Sequence, residues 1–160
     1  MHKYWNMRAV LMKPFLVGLL ALGLSAGATP LRATDLASRI RTVAQEHDAS
    51  TTTTAKGTYY QIFAIRAPAG YRTILTLLDH ADGAQTIATA IYENVGGWQQ
   101  VRLLVDEHAD GDLEYVLMGR GRKLKEALID LRSSAPAPPM GNDHAVYRTL
   151  VAGLRGNISE

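Results

Sequence analysis

A long run of strand-forming residues, interrupted at short intervals by turn sequences, is the feature that most constrains the fold of this chain. Aromatic and β-branched side chains dominate between residues 57 and 119, and both favour the extended backbone of a strand. The pattern predicts five strands, at about 57–67, 71–79, 84–95, 98–107 and 113–119. The turns between them are Pro68-Ala69-Gly70, Asp82-Gly83, Gly96-Gly97 and Asp110-Gly111. Because short turns join antiparallel neighbours, we expect a five-stranded antiparallel meander.

Helical periodicity flanks this β-rich run on both sides. Apolar residues recur at helical spacing at about 35–47 before the strands, and at about 122–133 and 144–154 after them. The middle helix carries the clearest apolar stripe, formed by Leu124, Ala127, Leu128 and Leu131. We expect this helix to cover the apolar face of the sheet and the opposite face to be the wetter one. The predicted fold class is α+β: N-terminal helix, five-stranded antiparallel meander, covering helix, Pro-rich linker and C-terminal helix.

Two short segments set the expected limits of the sheet. Before the first predicted strand lies an unbroken run of hydroxyl residues, Ser50 to Thr54. This run is short and polar, so we expect a loop or the lead-in to a strand. At the other limit, Gly119 and Gly121 are expected to break the last strand, since glycine weakens a strand interior.

The first 28 residues have the three-part layout of an export signal. A basic segment ends at Lys13, an apolar run follows from Phe15 to Leu24, and the small residues Ala26-Gly27-Ala28 fit a cleavage site. The apolar run is shorter than the ~20 residues that a membrane-spanning helix needs, so we expect no stable membrane span after cleavage. The protein is therefore predicted to be periplasmic or secreted.

The predicted domain organisation has four segments. They are a signal peptide at 1–28, an α+β domain at 29–133, a Pro-rich linker at 134–142 and a C-terminal helix at 143–160. Three prolines make the linker stiff. The sequence leaves open whether the last helix packs on the domain, exchanges with a second copy or stands free.

Charge and cysteine content exclude several classes of function. The formal charge of +2 comes from the signal segment, because the other 132 residues hold 14 basic and 15 acidic side chains. A basic nucleic-acid-binding surface is therefore not expected. The chain has no cysteine, which excludes disulfides, thiolate nucleophiles and cysteine-bound zinc.

The sequence His-Ala-Asp-Gly occurs twice, at residues 80–83 and 108–111, each time close after an apolar strand. One interpretation is a repeated hairpin turn, since Asp and Gly are typical turn residues. The other interpretation depends on topology: alternate turns of a meander lie at the same end of the sheet, about 10 Å apart. Two imidazoles and a carboxylate from these turns would suit Zn²⁺. The candidate metal ligands are His80, Asp82, His108 and Asp110.

Basic residues mark a second candidate site at the junction between the last strand and the next helix. Arg120, Arg122 and Lys123 lie among glycines at the predicted helix start. Free N–H groups and nearby cations at a helix N-terminus favour an anion. The segment matches neither a P-loop nor a dinucleotide-binding fingerprint, and the alternative is a hinge with solvated charges.

Aromatic residues give a third candidate, an interaction surface. Most of the aromatic side chains in the predicted sheet are expected to be core residues. Trp98 lies beside the polar Gln100 and Arg102, so this part of the wetter face is a candidate contact surface for a protein or a glycan.

Two functions from different classes remain open at this point. The preferred one is an exported, non-catalytic binding, inhibitor or accessory protein without a cofactor, acting on a protein or glycan in the cell envelope or outside the cell. It would act through a sheet face or the C-terminal helix. The alternative is a small exported metal-binding protein or hydrolase that uses the two His-Ala-Asp-Gly turns, with zinc as the candidate metal. The non-catalytic interpretation is preferred because no specific nucleophile–base or metal-ligand motif is present.

Overall fold

A computed structural model describes residues 33–46, 50–63 and 72–154. The predicted signal peptide and the predicted turn at Pro68-Ala69-Gly70 lie outside the described residues. The described elements, in chain order, are α1 (Ala33–Glu46), β1 (Ser50–Thr54), β2 (Gly57–Phe63), β3 (Arg72–His80), β4 (Gln85–Val95), β5 (Trp98–Asp106), β6 (Tyr115–Gly121), α2 (Leu124–Ser133) and α3 (Gly141–Gly153). The α+β class with an antiparallel sheet is therefore confirmed.

Within the described residues the sheet has six strands rather than the five predicted. They lie side by side in chain order, and each runs antiparallel to the next. The additional strand is β1, the hydroxyl run, in which Thr52 pairs with Tyr59 of β2. Threonine is β-branched and favours the extended backbone even where a strand has no apolar face to bury. The strand count was wrong because apolar alternation does not detect such an edge strand.

Helices cover both faces of the sheet, which corrects the expectation of one wet face. On the α1/α3 face, α1 and α3 pack on a cluster of strand residues that comprises Leu75, Leu77, Ile87, Ile91, Leu104 and Val116. On the α2 face, α2 packs on a second cluster that comprises Ala88, Ala90, Val101, Leu103 and Val105. Alternate residues of one strand point to opposite faces. Leu103 and Leu104 therefore belong to different cores.

Helix α2 contacts β6 through glycine, and this close approach corrects the expected end of the strand. Gly119 and Gly121 do not break β6 but lie within it. A Cβ atom at Gly119 would overlap the backbone of Ala127 and Leu131, so only glycine lets the helix lie this close. Ala127 and Leu131 are the buried residues of the helix, while Leu128 is only half-buried.

Helix α3 packs on the sheet, on the same side as α1. Its apolar side chains join the core on the α1/α3 face, and the Tyr147 ring is almost completely buried. The Pro-rich segment before it is tied to the edge strand β6, because Val116 and Ala137 exchange two backbone hydrogen bonds of 2.9 Å. None of the described helices combines the length and the apolar character that crossing a membrane requires.

Candidate functional site

The two His-Ala-Asp-Gly turns lie at the same end of the sheet, because they join β3 to β4 and β5 to β6 in a meander. One hydroxyl connects them. The side chain of Thr86 donates to the backbone oxygen of Glu107 at 3.3 Å, and its Oγ1 lies 3.0 Å from His80 Nε2. A hydroxyl has one proton to give, so His80 Nε2 is the donor in the second hydrogen bond. His80 Nε2 is therefore engaged in a hydrogen bond between two strands of the protein.

The first turn is a tight hairpin held by its own hydrogen bonds. The amide of Gly83 donates to the oxygen of His80 at 3.0 Å, and Asp82 Oδ1 accepts the amide of Ala84 at 3.1 Å. Just before it, Asp79 accepts two hydrogen bonds of 2.7 Å from Arg41 of α1. The hydrogen bonds from Arg41 hold the pKa of the Asp79 carboxyl below its ordinary value.

The second turn is a longer loop organised by a buried carboxylate. Asp106 is completely buried and accepts the amides of Asp110 at 3.1 Å and Gly111 at 2.9 Å. The hydroxyl of Tyr147 in α3 donates to the same carboxylate at 2.7 Å. Burial raises the pKa of Asp106, and the hydrogen bond from Tyr147 opposes this increase. The loop backbone passes through a left-handed conformation at the buried Ala109, with φ of 52°.

Three side chains with metal-binding groups come together on this second loop. One potential ligand atom from each of His108, Asp110 and Glu114 lies within 4.8 Å of the other two. His108 Nδ1 is 3.0 Å from Glu114 Oε1, and this pairing raises the pKa of the imidazole. His108 and Asp110 belong to the predicted ligand set. Glu114 does not, because the sequence pattern assigned it to a strand, whereas it lies just before β6.

The predicted metal ligands thus occupy two different settings. Asp82 and His80 make hydrogen bonds within and around the first turn, while His108 and Asp110 cluster with Glu114 on the second. A site that all four residues share remains a prediction. The sequence signal for Glu114 was weak, since only its position six residues after His108 relates the two.

At the opposite end of β5 the structure joins two candidate sites that are separate in the sequence. Gln100 pairs with Arg120 across β5 and β6, which brings the basic junction beside Trp98. The guanidinium carbon of Arg120 lies 5.3 Å from the centre of the Trp98 ring, and that of Arg122 lies 5.6 Å from it. Both distances fit cation–π contacts.

An exposed surface surrounds this stack. We call it the Trp98 patch, and its residues are Val95, Trp98, Met118, Arg120 and Arg122. Strand pairing places Val95 opposite Trp98 and Met118 opposite Arg102, so their side chains share the α1/α3 face. About half of Val95 and half of Met118 is exposed, as is 39% of Trp98. Arginine and apolar side chains therefore lie together on the surface.

Two residues of the predicted interaction surface are held within the fold. The Arg102 guanidinium donates to both carboxylate oxygens of Glu93, at 3.0 and 3.1 Å, and to Asp143 at the start of α3. Gln100 also donates to Glu93, at 3.1 Å. The Arg102 side chain is only 13% exposed. Its hydrogen bonds join β5 to β4 through Glu93 and to α3 through Asp143. Trp98 is therefore the exposed member of the predicted trio.

The N-terminus of α2 is partly occupied by its own carboxylate. Glu126 Oε2 accepts the amides of Arg122 at 2.9 Å and Lys123 at 3.3 Å. Anion binding by Arg120, Arg122 and Lys123 remains a prediction. The structure places the three residues in two different settings. Two of them stack on Trp98, and Lys123 occupies the N-cap position of α2, where Glu126 accepts its amide.

Comparison with known proteins finds no matching family model, and no curated protein or solved structure matches the chain.

Proposed function

We propose that this chain is an exported, non-catalytic binding protein that docks an acidic segment of a partner protein on the Trp98 patch. The observation that carries the proposal is the pair of arginines stacked on an exposed tryptophan. Within residues 33–46, 50–63 and 72–154, neither Arg120 nor Arg122 forms an ion pair. Their charges are therefore available to a carboxylate that approaches the patch.

The composition of the patch fits a protein contact. Tryptophan, methionine and arginine are enriched in protein interfaces, and tryptophan and arginine dominate binding energy where they are well packed. A guanidinium that lies over an aromatic ring keeps its N–H groups at the edge, where they can bind carboxylates in a bidentate way. An acidic segment with an apolar side chain at its centre offers carboxylates to the arginines of the patch and an apolar contact to its other residues.

The proposed location is the periplasm or the outside of the cell. It rests on the layout of residues 1–28, with a basic start, an apolar run and a small-residue cleavage site. A precursor and a shorter mature form should both be detectable by mass spectrometry when the chain is expressed with its leader. A single uncleaved form in the cytoplasm would contradict export.

Binding is tested with peptides of defined charge. The full chain is titrated in a calorimeter with a glutamate-rich peptide that carries two central leucines, and with the same peptide in which lysine replaces glutamate. We expect saturable binding of the acidic peptide alone, lost in the Arg120→Glu, Arg122→Glu double variant. Lys125→Glu, an exposed charge reversal on α2, is the matched control and should keep most of the affinity.

Three outcomes would contradict the proposal. They are equal binding of both peptides, unchanged binding by the double variant, and saturable binding of a neutral oligosaccharide in place of the acidic peptide. The last outcome would identify the patch as a glycan surface. Circular dichroism of each variant distinguishes loss of binding from loss of fold.

A further inference from the structure

We propose that the loop between β5 and β6 binds a divalent transition-metal ion, of which zinc is the representative case, through His108, Asp110 and Glu114. This site is separate from the Trp98 patch, because it lies at the opposite end of β5. It also differs from the four-residue site predicted from the sequence, since Glu114 takes the place of the two residues from the first turn.

The three donor groups lie close together on the loop. One imidazole nitrogen and two carboxylate oxygens lie within 4.8 Å of one another. Zinc holds such ligands at about 2.0–2.2 Å, so tetrahedral ligand atoms are roughly 3.5 Å apart. His108 Nδ1 and Glu114 Oε1 lie within that separation, at 3.0 Å. The imidazole is 70% exposed and can rotate to complete the site.

Each carboxylate has one oxygen bound by the backbone. Glu114 Oε2 accepts the amide of Glu107 at 2.6 Å, and Asp110 Oδ1 accepts the amide of Asp112 at 3.0 Å. The second oxygen of Glu114 faces His108. Hydrogen bonds of this kind orient carboxylate ligands and strengthen metal binding.

The backbone of the loop is held in place from the protein interior. Asp106 accepts the amides of Asp110 and Gly111, and Tyr147 fixes that carboxylate in turn. An ion would therefore bind to a loop whose conformation the fold already sets. Less conformational entropy is lost on binding than in a free loop.

The chemistry of the donor set favours a transition metal over calcium. Calcium takes six to eight oxygen ligands, whereas one imidazole with two carboxylates suits zinc and its neighbours. The loop from residue 107 to residue 114 contains four acidic residues, one histidine and no lysine or arginine. Its local charge therefore attracts a cation.

The other His-Ala-Asp-Gly turn provides a matched control within the same chain. Zinc binding is measured by calorimetry at about pH 7.5, where the imidazole must lose its proton to bind the metal. The full chain is compared with His108→Ala, Glu114→Gln and His80→Ala. We expect saturable binding to the wild type and unchanged binding to the third variant. Binding to the first two should weaken by at least tenfold, since loss of a ligand costs no less than loss of a partner that orients one.

Two results would overturn the proposal. One is a zinc affinity of His108→Ala equal to that of the wild type, which would place the ion at another histidine. The other is an equal loss in His80→Ala and His108→Ala, which would favour the shared four-residue site. Thermal unfolding without zinc shows that each variant is folded, and an increase in melting temperature with zinc, absent in His108→Ala, supports the site.

Discussion

The two His-Ala-Asp-Gly turns have the same sequence but different structures. The first is a tight hairpin at the surface, and the second is a loop folded over a buried carboxylate. The difference begins two residues before the histidine, where the first turn has Leu78 and the second has Asp106. Leu78 fills the core, while Asp106 accepts backbone hydrogen bonds from its own loop. A short motif therefore does not determine its own conformation when the flanking side chains differ.

The largest loss of stability is expected when Asp106 of the second turn is replaced by leucine, the residue at the matching position of the first turn. Asp106→Leu leaves the Tyr147 hydroxyl and the amides of Asp110 and Gly111 without their acceptor. Each unsatisfied buried donor costs about 1–3 kcal/mol, so we expect a loss of about 4 kcal/mol in the free energy of unfolding. Urea denaturation measures this loss. Asp106→Asn keeps an acceptor and should cost less, and a loss under ~1 kcal/mol for the leucine variant would contradict the role assigned to Asp106.

An intermediate loss of stability, equal for the two turns, is expected when the glycine that ends each His-Ala-Asp-Gly sequence is replaced. Gly83 has φ of 87° and Gly111 has φ of 100°, and a Cβ atom added at either position would meet nothing within 4 Å. Substitution therefore costs backbone strain alone. We expect Gly83→Val and Gly111→Val each to lower the free energy of unfolding by about 1–2 kcal/mol. A difference above ~1 kcal/mol would show that the two glycines have different roles.

The histidines should separate stability from metal binding. His80 is half-buried and hydrogen-bonded to Thr86, so His80→Ala should lower the free energy of unfolding by about 1 kcal/mol. The exposed His108 makes one surface ion pair, and without zinc its alanine variant should denature like the wild type. Urea denaturation with and without zinc tests both statements. A larger loss of stability in His108→Ala than in His80→Ala, measured without zinc, would contradict the difference described between the two turns.

The smallest change in the free energy of unfolding is expected at acidic pH. It concerns Asp79, just before the first turn. Arg41 keeps the pKa of Asp79 below its ordinary value of 3.8 in the folded state. The Asp79–Arg41 pair therefore contributes stability above about pH 4, and this contribution is lost as the pH falls through the lower, folded-state pKa. In Asp79→Asn the free energy of unfolding should change less between about pH 4 and pH 2. Arg41→Gln should give the same flatter profile, and an unchanged slope would contradict the assignment.

The meander and the placement of both turns were predictable, because turn residues and apolar alternation are local signals. The sixth strand was not, since Ser50–Thr54 has no alternation to detect. The place of Glu114 in the candidate metal site could not be predicted for a different reason. Its approach to His108 depends on the loop that Asp106 organises, and Asp106 is in turn bound by Tyr147 from α3. Likewise, Arg120 meets Trp98 only because of the strand register.

The hydrogen bond between Tyr147 and Asp106 has a consequence for the order in which the chain folds. The two residues are 41 positions apart. Contacts between neighbours in sequence form early, so the hairpins of the sheet can form before the C-terminal helix packs on them. The β5–β6 loop receives the hydrogen bond from Tyr147 only when that helix packs on the sheet. A chain that lacks residues 141–160 should therefore expose this loop to added protease, and the full chain should protect it.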